Sequence, residues 1–391
     1  MQSEIQKEAL SKIQNTTLRN YKSKPLSLSN KTHKIIKAVI KDFPTFLKIL
    51  TRKEEKNKIY VAVEAGGGMG DMLRCSALVK KLALLYPSMH FDIYANNKIL
   101  GHFIFGSIER IENIALEYLM PLFSGKYDIV YKCLQITEPA FYNLNNDIIK
   151  DLKTVSDTQK DIFDLYYRHK DNAFGLIAEK AANKGQNFMD ILGLTAGVKD
   201  LSEQDISLDI KEPNPLEGKK YITISTGWNP RDYIKNGIPT KVWPPAYWQE
   251  FAAMFKQANP DIEIVQLGQN NAPIIKDVNN YFVGKLSLDK SSAILNGSFL
   301  HIDCDGGLVH IARVLGVKTV VLFGPSNGRY VGYKENINLF SPFCGNCWHT
   351  MPGWNKKCAL GYGAAKCMES INPKIVLECV LSVLCGTSLK I

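Results

Sequence analysis

The chain has 391 residues, with 48 Lys and Arg against 38 Asp and Glu for a net charge of +10, and is 45% hydrophobic and 22% charged. That size and balance describe a globular protein of two or three domains and exclude a disordered or fibrous chain. The longest apolar runs, such as Lys318–Phe323, fall far short of the roughly 20 residues of a membrane helix, so no bilayer span is expected.

The charge is concentrated at the start. Residues 1–58 carry 12 Lys and 2 Arg against Glu4, Glu8, Asp42, Glu54 and Glu55, a surplus of +9 that leaves +1 for the remaining 333 residues. This basic N-terminal extension lacks the apolar core of a secretion signal, which points to a reducing cytoplasm. Within it Ile36, Ile40, Phe43, Leu47 and Leu50 recur every three or four residues, with Lys34, Lys37, Lys41 and Lys48 between them and Pro44 as a kink. Such a basic amphipathic helix suits an anionic membrane surface; the plainer alternative is an extra helix packed on the first domain.

From Ile59 strands and helices alternate. Ile59–Val63, Phe91–Tyr94 and Tyr127–Val130 read as strands and Met72–Tyr86 as a helix, the order of a parallel sheet with crossover helices. A polar stretch from about Asn143 to Lys170 interrupts this, and Lys211–Gly218 reads as a linker. Alternation resumes with strands at Tyr221–Ile224, Ile262–Leu267, Leu300–Asp303 and Thr319–Phe323, and helices at Pro245–Gln257 and Leu308–Leu315. The domains expected are therefore the extension 1–58, an α/β domain 59–210, a linker 211–220, a second α/β domain 221–375, and a C-terminal helix 376–391.

Two glycine-rich turns carry the chemistry. Gly66-Gly-Gly-Met-Gly-Asp71 lies between a strand and a helix, where free amides attract anions. It lacks the G-x-G-x-x-G register and the downstream ribose-binding acid of a nicotinamide-dependent oxidoreductase. Asp71 is either a helix N-cap or an ionised carboxylate that accepts a proton from a hydroxyl nucleophile. Cys304-Asp-Gly-Gly-Leu-Val-His310 likewise follows a strand and opens a helix. Asp305 is a candidate cap, and Gly306 and Gly307 leave amides accessible to a diphosphate without a metal. His310 is one turn in, with a buried, hydrogen-bonded histidine as the alternative. Phe323-Gly-Pro-Ser-Asn327 borders the same crevice. Lys241, before a helix that Pro244 or Pro245 would start, is placed to neutralise a phosphate or simply to be solvated.

Cys344, Cys347, Cys358 and Cys367 are spaced C-x2-C-x10-C-x8-C. That pattern fits a closed tetrahedral zinc or iron knuckle, with His349 as a spare ligand, against unmetallated thiols or disulfides. Cys75, Cys133, Cys304, Cys379 and Cys385 read as small buried residues.

Gly68-Met-Gly-Asp71, Lys241-Val-Trp-Pro244, Asp305-Gly-Gly-Leu-Val-His310 and Phe323-Gly-Pro325, in this order across roughly 59–375, resemble glycosyltransferase family 9, the ADP-heptose heptosyltransferases. The resemblance implies a GT-B fold, with two Rossmann-like doubly wound domains facing a cleft, the first holding the acceptor and the second the nucleotide sugar. It implies an inverting transfer with Asp71 as general base and Gly68, Met69, Gly70 and Arg74 in the acceptor-side loop. Thr226, Lys241, Asp305, Gly306, Gly307, Leu308, His310 and Gly324 would bind the donor, with no catalytic metal. The chain departs from the family at Gly306, where a hydroxyl residue is common. It departs also at Ser225-Thr-Gly-Trp-Asn229 with nearby Arg231, and at Gly268–Asn271, which offers amides where many members use a glutamate. The acceptor implied is a lipopolysaccharide core or other surface glycan at the inner membrane face. The cysteine cluster is similar to that of the autotransporter heptosyltransferases, which hold iron, and keeps a protein acceptor open. A homo-oligomer is compatible with all of this. A nucleic-acid-binding protein using the arm and the cysteine knuckle is the reading of another class, and the near-neutral remainder of the chain weighs against it.

Overall fold

A computed structural model of the chain describes residues 28–169, 172–227 and 239–386. Residues 28–164 with 186–209 form one compact unit, and 165–185 with 210–386 form the other. Single-turn helices are left unnumbered below.

In chain order the first unit contains α1 (Leu28–Lys41), α2 (Phe43–Thr51), β1 (Ile59–Ala65), α3 (Met69–Leu85), β2 (Met89–Ala95), α4 (Lys98–Phe105), β3 (Ile111–Leu116), β4 (Ile129–Cys133), β5 (Thr137–Phe141) and α5 (Asp147–Asp157). Then come α6 (Lys160–His169), α7 (Ala173–Asn183), which lies in the second unit, and α8 (Phe188–Ala196) in the first. The sheet order is β3-β2-β1-β4-β5. Its strands are parallel except β5, which runs antiparallel to β4. An entirely parallel sheet was expected here; the connection Leu134–Ile136 is too short for a crossover and can only reverse the chain. The stretch read as a polar interruption is instead α5 and α6, which bury Ile149, Leu152 and Ile162 and present their polar residues outward.

Asp42 leaves the helical region at φ −126°, ψ 34°, and separates α1 from α2, while Pro44 sits in the first turn of α2. There its missing N–H removes no hydrogen bond, so the bend expected at Pro44 falls at Asp42. The helix pair packs on the first unit through buried Ala38, Asp42, Thr45 and Ile49 with Val39 and Phe46 beside them, while Ile36, Ile40, Phe43, Leu47 and Leu50 stay exposed. Ala38 and Ile49 join Tyr60, Ala62, Tyr94, Leu119 and Phe123 in a shared cluster. Two ion pairs fasten it: Lys98 Nζ to Asp42 Oδ1 and Arg52 Nη1 to Asp92 Oδ2, each at 2.5 Å. Arg52 also lies over the rings of Tyr60 and Tyr127. Asp92, fully buried, accepts further hydrogen bonds from Tyr127 Oη and Asn113 Nδ2.

The second unit adds β6 (Tyr221–Ile224), α9 (Pro245–Ala258), β7 (Glu263–Gln266), β8 (Asn280–Tyr281), α10 (Leu288–Asn296), β9 (His301–Cys304), α11 (Gly307–Val314), β10 (Thr319–Phe323), β11 (Ile337–Phe340) and α12 (Pro373–Leu384). Its sheet is parallel throughout, in the order β11-β10-β9-β6-β7-β8. The core gathers Trp243, Trp248, Phe251 and Phe255 against Ile222, Ile302 and Val320. The last helix is shorter than the 376–391 expected, and residues 387–391 lie outside those described. The segment carrying α7 joins this unit because Phe174 meets the His349 ring at 5.4 Å. Gly175 also lies so close to Trp348 O and Thr350 that a Cβ would collide with both. The division between units therefore interrupts the region 59–210, which had been expected as one domain.

The Arg52–Asp92 clamp predicts that Arg52→Ala lowers stability by about 2–4 kcal/mol, because it strands a buried carboxylate, whereas Ile40→Ser on the outer face changes it by less than about 0.5 kcal/mol. Urea unfolding of both variants measures the difference.

Candidate functional site

Each sheet has one place where the strand order reverses, and in open α/β sheets ligands bind at the carboxyl ends of the strands there. In the first unit that place lies between β1 and β4. Gly66 N–H bonds Cys133 O at 3.0 Å, tying the two strand ends together. Gly67 takes φ +83°, and a Cβ on it would run into the Asp71 carboxylate. Glycine is required twice over, by conformation and by space. Asn96 Nδ2 donates to Gly67 O at 2.8 Å and holds the loop from the β2 side.

Gly68, not Asp71, is the N-cap of α3, and Asp71 is its third residue. Asp71 Oδ2 accepts from Gly68 N–H at 2.9 Å, and Oδ1 accepts from Gln135 Nε2 at 2.9 Å. The carboxylate is thus oriented from both sides while remaining half-buried, and a carboxylate has lone pairs beyond the two these donors use. Met69 and Gly70 lie in the first turn, partly exposed, whereas Arg74 points inward, 4% exposed, with its guanidinium 4.3 Å from the centre of the Phe188 ring. Gln135 was not singled out in the sequence. It comes from the β4–β5 reversal, and only the β1–β4 pairing brings it to Asp71.

In the second unit the reversal lies between β6 and β9. Thr226 and Gly227 leave β6, and a Cβ on Gly227, φ +66°, would collide with Cys304. Thr226 is buried, with no hydrogen-bond partner for Oγ1 among the described residues; Asn229 and Arg231 of the same loop lie outside them. The N-cap of α11 is Gly306, and no side chain caps the helix. Asp305, expected as that cap, is engaged elsewhere: Lys241 Nζ lies 2.7 Å from its Oδ2 and Ser326 Oγ donates to the same oxygen at 2.5 Å. Burial opposes ionisation of Asp305, but Lys241, Ser326 and the nearby His310 outweigh it and hold the carboxyl at about 2. The lysine read as a phosphate partner is here balanced by a carboxylate.

Trp243, two residues from Lys241, is fully buried, donates Nε1–H to Ile371 O at 2.9 Å and meets Trp248 edge to face at 5.0 Å. It anchors the lysine's loop. Gly307 and Leu308 form the half-buried first turn of α11. His310 is buried and shares a 2.6 Å hydrogen bond through Nδ1 with Tyr333 Oη, so it is both at the expected position and satisfied. A Cβ at Gly306 would sit 3.1 Å from Asp303 Oδ2. A buried carboxyl whose proton affinity is raised by that burial therefore occupies the space behind the position where a hydroxyl residue is common.

Gly324 faces the cysteine lobe: a Cβ there would strike Met368 and lie 3.0 Å from Cys367 Sγ. Trp348 N–H bonds Pro325 O at 2.9 Å, so the lobe supports the Gly324–Ser326 loop from behind. Cys344, Cys347, Cys358 and Cys367 line one cavity of about 170 Å³ with Thr240, Asn327 and Arg329. A thiol hydrogen bond between Cys344 and Cys367 pulls Cys344 down and pushes Cys367 up. Burial, with Cys344 and Cys358 nearby, raises Cys347 to about 12. The donor chemistry suits zinc or iron, but the closed four-thiolate site is not assembled: among the described residues no three Cys, His, Asp or Glu side chains are placed to hold an ion. His349, the spare ligand, is instead in an aromatic cluster, edge to face with Phe174 and Trp348 and tilted against Trp354. Cys75, Cys133, Cys304 and Cys379 are buried as expected, whereas Cys385 is exposed.

Two Rossmann-like sheets, each with a glycine turn and an oriented aspartate at its reversal point, define the GT-B class of fold. Residues 208–351 match the sequence model of glycosyltransferase family 9 (heptosyltransferase). The chain is 29% identical over 124 residues to lipopolysaccharide heptosyltransferase 1 of Pseudomonas aeruginosa, covering 28% of this chain and 33% of that protein. It is 27% identical over 206 residues to lipooligosaccharide heptosyltransferase 2 of Campylobacter jejuni, covering 48% and 58%. The matches thus span less than two thirds of either relative. The fold is similar to that of the iron-containing dodecameric glycosyltransferase TibC of enterotoxigenic E. coli, with TM-score 0.58 and 15% identity over 85% of this chain and 78% of that one. TibC has also been solved with ADP-D-beta-D-heptose.

The low Asp305 value predicts a pH dependence of stability. A carboxyl held below its ordinary value of 3.8 contributes fully above about pH 4 and loses that contribution as pH falls towards about 2. Wild type should lose on the order of 2 kcal/mol across that window that Asp305→Asn does not, read from urea unfolding at each pH.

Proposed function

We propose that the protein is an inverting glycosyltransferase that moves a sugar, heptose first among candidates, from an ADP-linked donor to a hydroxyl of a lipopolysaccharide core or similar surface glycan at the inner membrane face. The observation that carries this reading is the Lys241–Asp305–Ser326 cluster beside the uncapped start of α11, within the stretch that matches family 9. Amides at a helix start favour negative charge. Gly306 and Gly307 let a diphosphate approach them, and Lys241 supplies a cation within reach of the charge that grows on the leaving group. Asp71 takes the proton from the acceptor hydroxyl as it attacks the anomeric carbon, its carboxylate held in one orientation by Gly68 N–H and Gln135.

Purified protein incubated with ADP-heptose and a panel of other nucleotide sugars is expected to release ADP with a heptose donor and an acceptor glycan. Asp71→Asn should lower turnover about 10²–10⁴-fold with donor binding unchanged. No nucleotide release with any donor, or full activity of the variant, would sink the reading. Glycosylation of a protein acceptor in place of the glycan would move the chain to the protein-modifying alternative.

In the cysteine lobe the reading includes one structural zinc or iron held by Cys344, Cys347, Cys358 and Cys367, which requires Cys347 and Cys358 to close on the Cys344–Cys367 pair. Elemental analysis of protein prepared without added metal should find about one ion per chain; folded, active, metal-free protein refutes it.

A further inference from the structure

The N-terminal helix pair carries two stripes with the same alternating spacing of three and four residues. Ala38, Asp42, Thr45 and Ile49 are buried against the first unit, while Ile36, Ile40, Phe43, Leu47 and Leu50 are 44% to 73% exposed. The stripes are offset by two positions, about 200° around a helix, so they lie on opposite sides. Val39 and Phe46 pack beside the buried stripe against the same cluster, so the pair is apolar on its inner side and still leaves five large apolar side chains exposed on the other, where an ordinary surface helix is polar.

This orientation is built in. The inward stripe contains Asp42, whose carboxylate takes Lys98 Nζ on Oδ1 and Leu116 N–H, at 3.1 Å, on Oδ2. Arg52, just past α2, is locked to buried Asp92. Turning the apolar stripe inward would break both ion pairs. Lys37, Lys41 and Lys48 are exposed and run along one flank of the apolar stripe, where long aliphatic stems can lie on an apolar surface with their ammonium groups at its polar edge.

We propose that this face docks on an anionic lipid surface, with Ile36, Ile40, Phe43, Leu47 and Leu50 entering the headgroup–acyl boundary and Lys37, Lys41 and Lys48 on the phosphates. The charge argues for lipid over a second copy of the chain, because two such faces brought together would oppose their own lysines, whereas an anionic headgroup layer neutralises them. Residues 1–58, with their surplus of +9, place further cations next to the stripe in sequence. The inference is independent of the transfer reading, and its test has a separate readout.

The full chain is sedimented with vesicles of equimolar phosphatidylcholine and phosphatidylglycerol, and with phosphatidylcholine alone. It should bind the first about tenfold or more better than the second, with an affinity that falls as salt rises. The variant Ile36→Ser/Ile40→Ser/Phe43→Ser/Leu47→Ser should lose about tenfold or more of that binding with its unfolding midpoint unchanged. Lys37→Glu/Lys41→Glu/Lys48→Glu should remove most of the salt dependence. The proposal is overturned by absence of vesicle binding in the wild type, by undiminished binding of the serine variant, or by a serine variant that changes only the oligomeric state. Deletion of residues 1–27 should weaken binding only in part, through loss of their cations; complete loss on that deletion would place the lipid contact outside the stripe and also overturn it.

Discussion

Parallel pairing of β1 with β4 in the first unit and of β6 with β9 in the second is the constraint on which each unit's glycine turn depends. Parallel neighbours send their connections away in opposite directions from a shared end, and the opening left between them is where a loop can carry chemistry without being covered by its own crossover helix. Both openings are kept by glycines that admit a neighbouring group where a Cβ would stand: the Asp71 carboxylate at Gly67 and Cys304 at Gly227. Helix starts at Gly68 and Gly306 then point their amides into the same openings.

The two aspartates differ in what orients them. Asp71 accepts from a backbone amide and a neutral side-chain amide, which fix the direction of its carboxylate. Asp305 is paired with a lysine and a hydroxyl and stays ionised in spite of its burial. In the proposed transfer the first would receive a proton, and the second would be a fixed charge that positions Lys241 near a helix start. The Ser326 hydroxyl that completes the second cluster comes from a loop resting on the cysteine lobe, so the lobe's packing is felt at the site through Pro325.

Each appendage is fixed by a few specific contacts. Asp42 and Arg52 set which side of the helix pair faces the protein, and the aromatic cluster around His349 joins α7 to the second unit, where Gly175 allows the chains to touch. In both places a residue that reads as surface in a one-dimensional pattern is what decides the packing.

Local features needed only the sequence. Strands such as Tyr221–Ile224 and Thr319–Phe323 coincide with the expected bounds because β-branched apolar runs bounded by turn residues have few alternatives, and the turns at Gly66–Asp71 and Asp305–His310 were legible from glycines between a strand and a helix. The partners of those turns were not. Gln135, Ser326 and Tyr333 lie 64, 21 and 23 residues from Asp71, Asp305 and His310, and no spacing rule reaches across strands whose order in the sheet is unknown. The capping alternative misses at Asp305, which Lys241 and Ser326 engage instead, and is off by position at Asp71, which serves the helix start from its third residue by accepting the Gly68 N–H. Periodicity revealed that residues 36–50 form an amphipathic helix, but not which face would be buried. That was decided by Lys98 and Asp92, which lie outside the helix and whose charges had to be met when the chain folded.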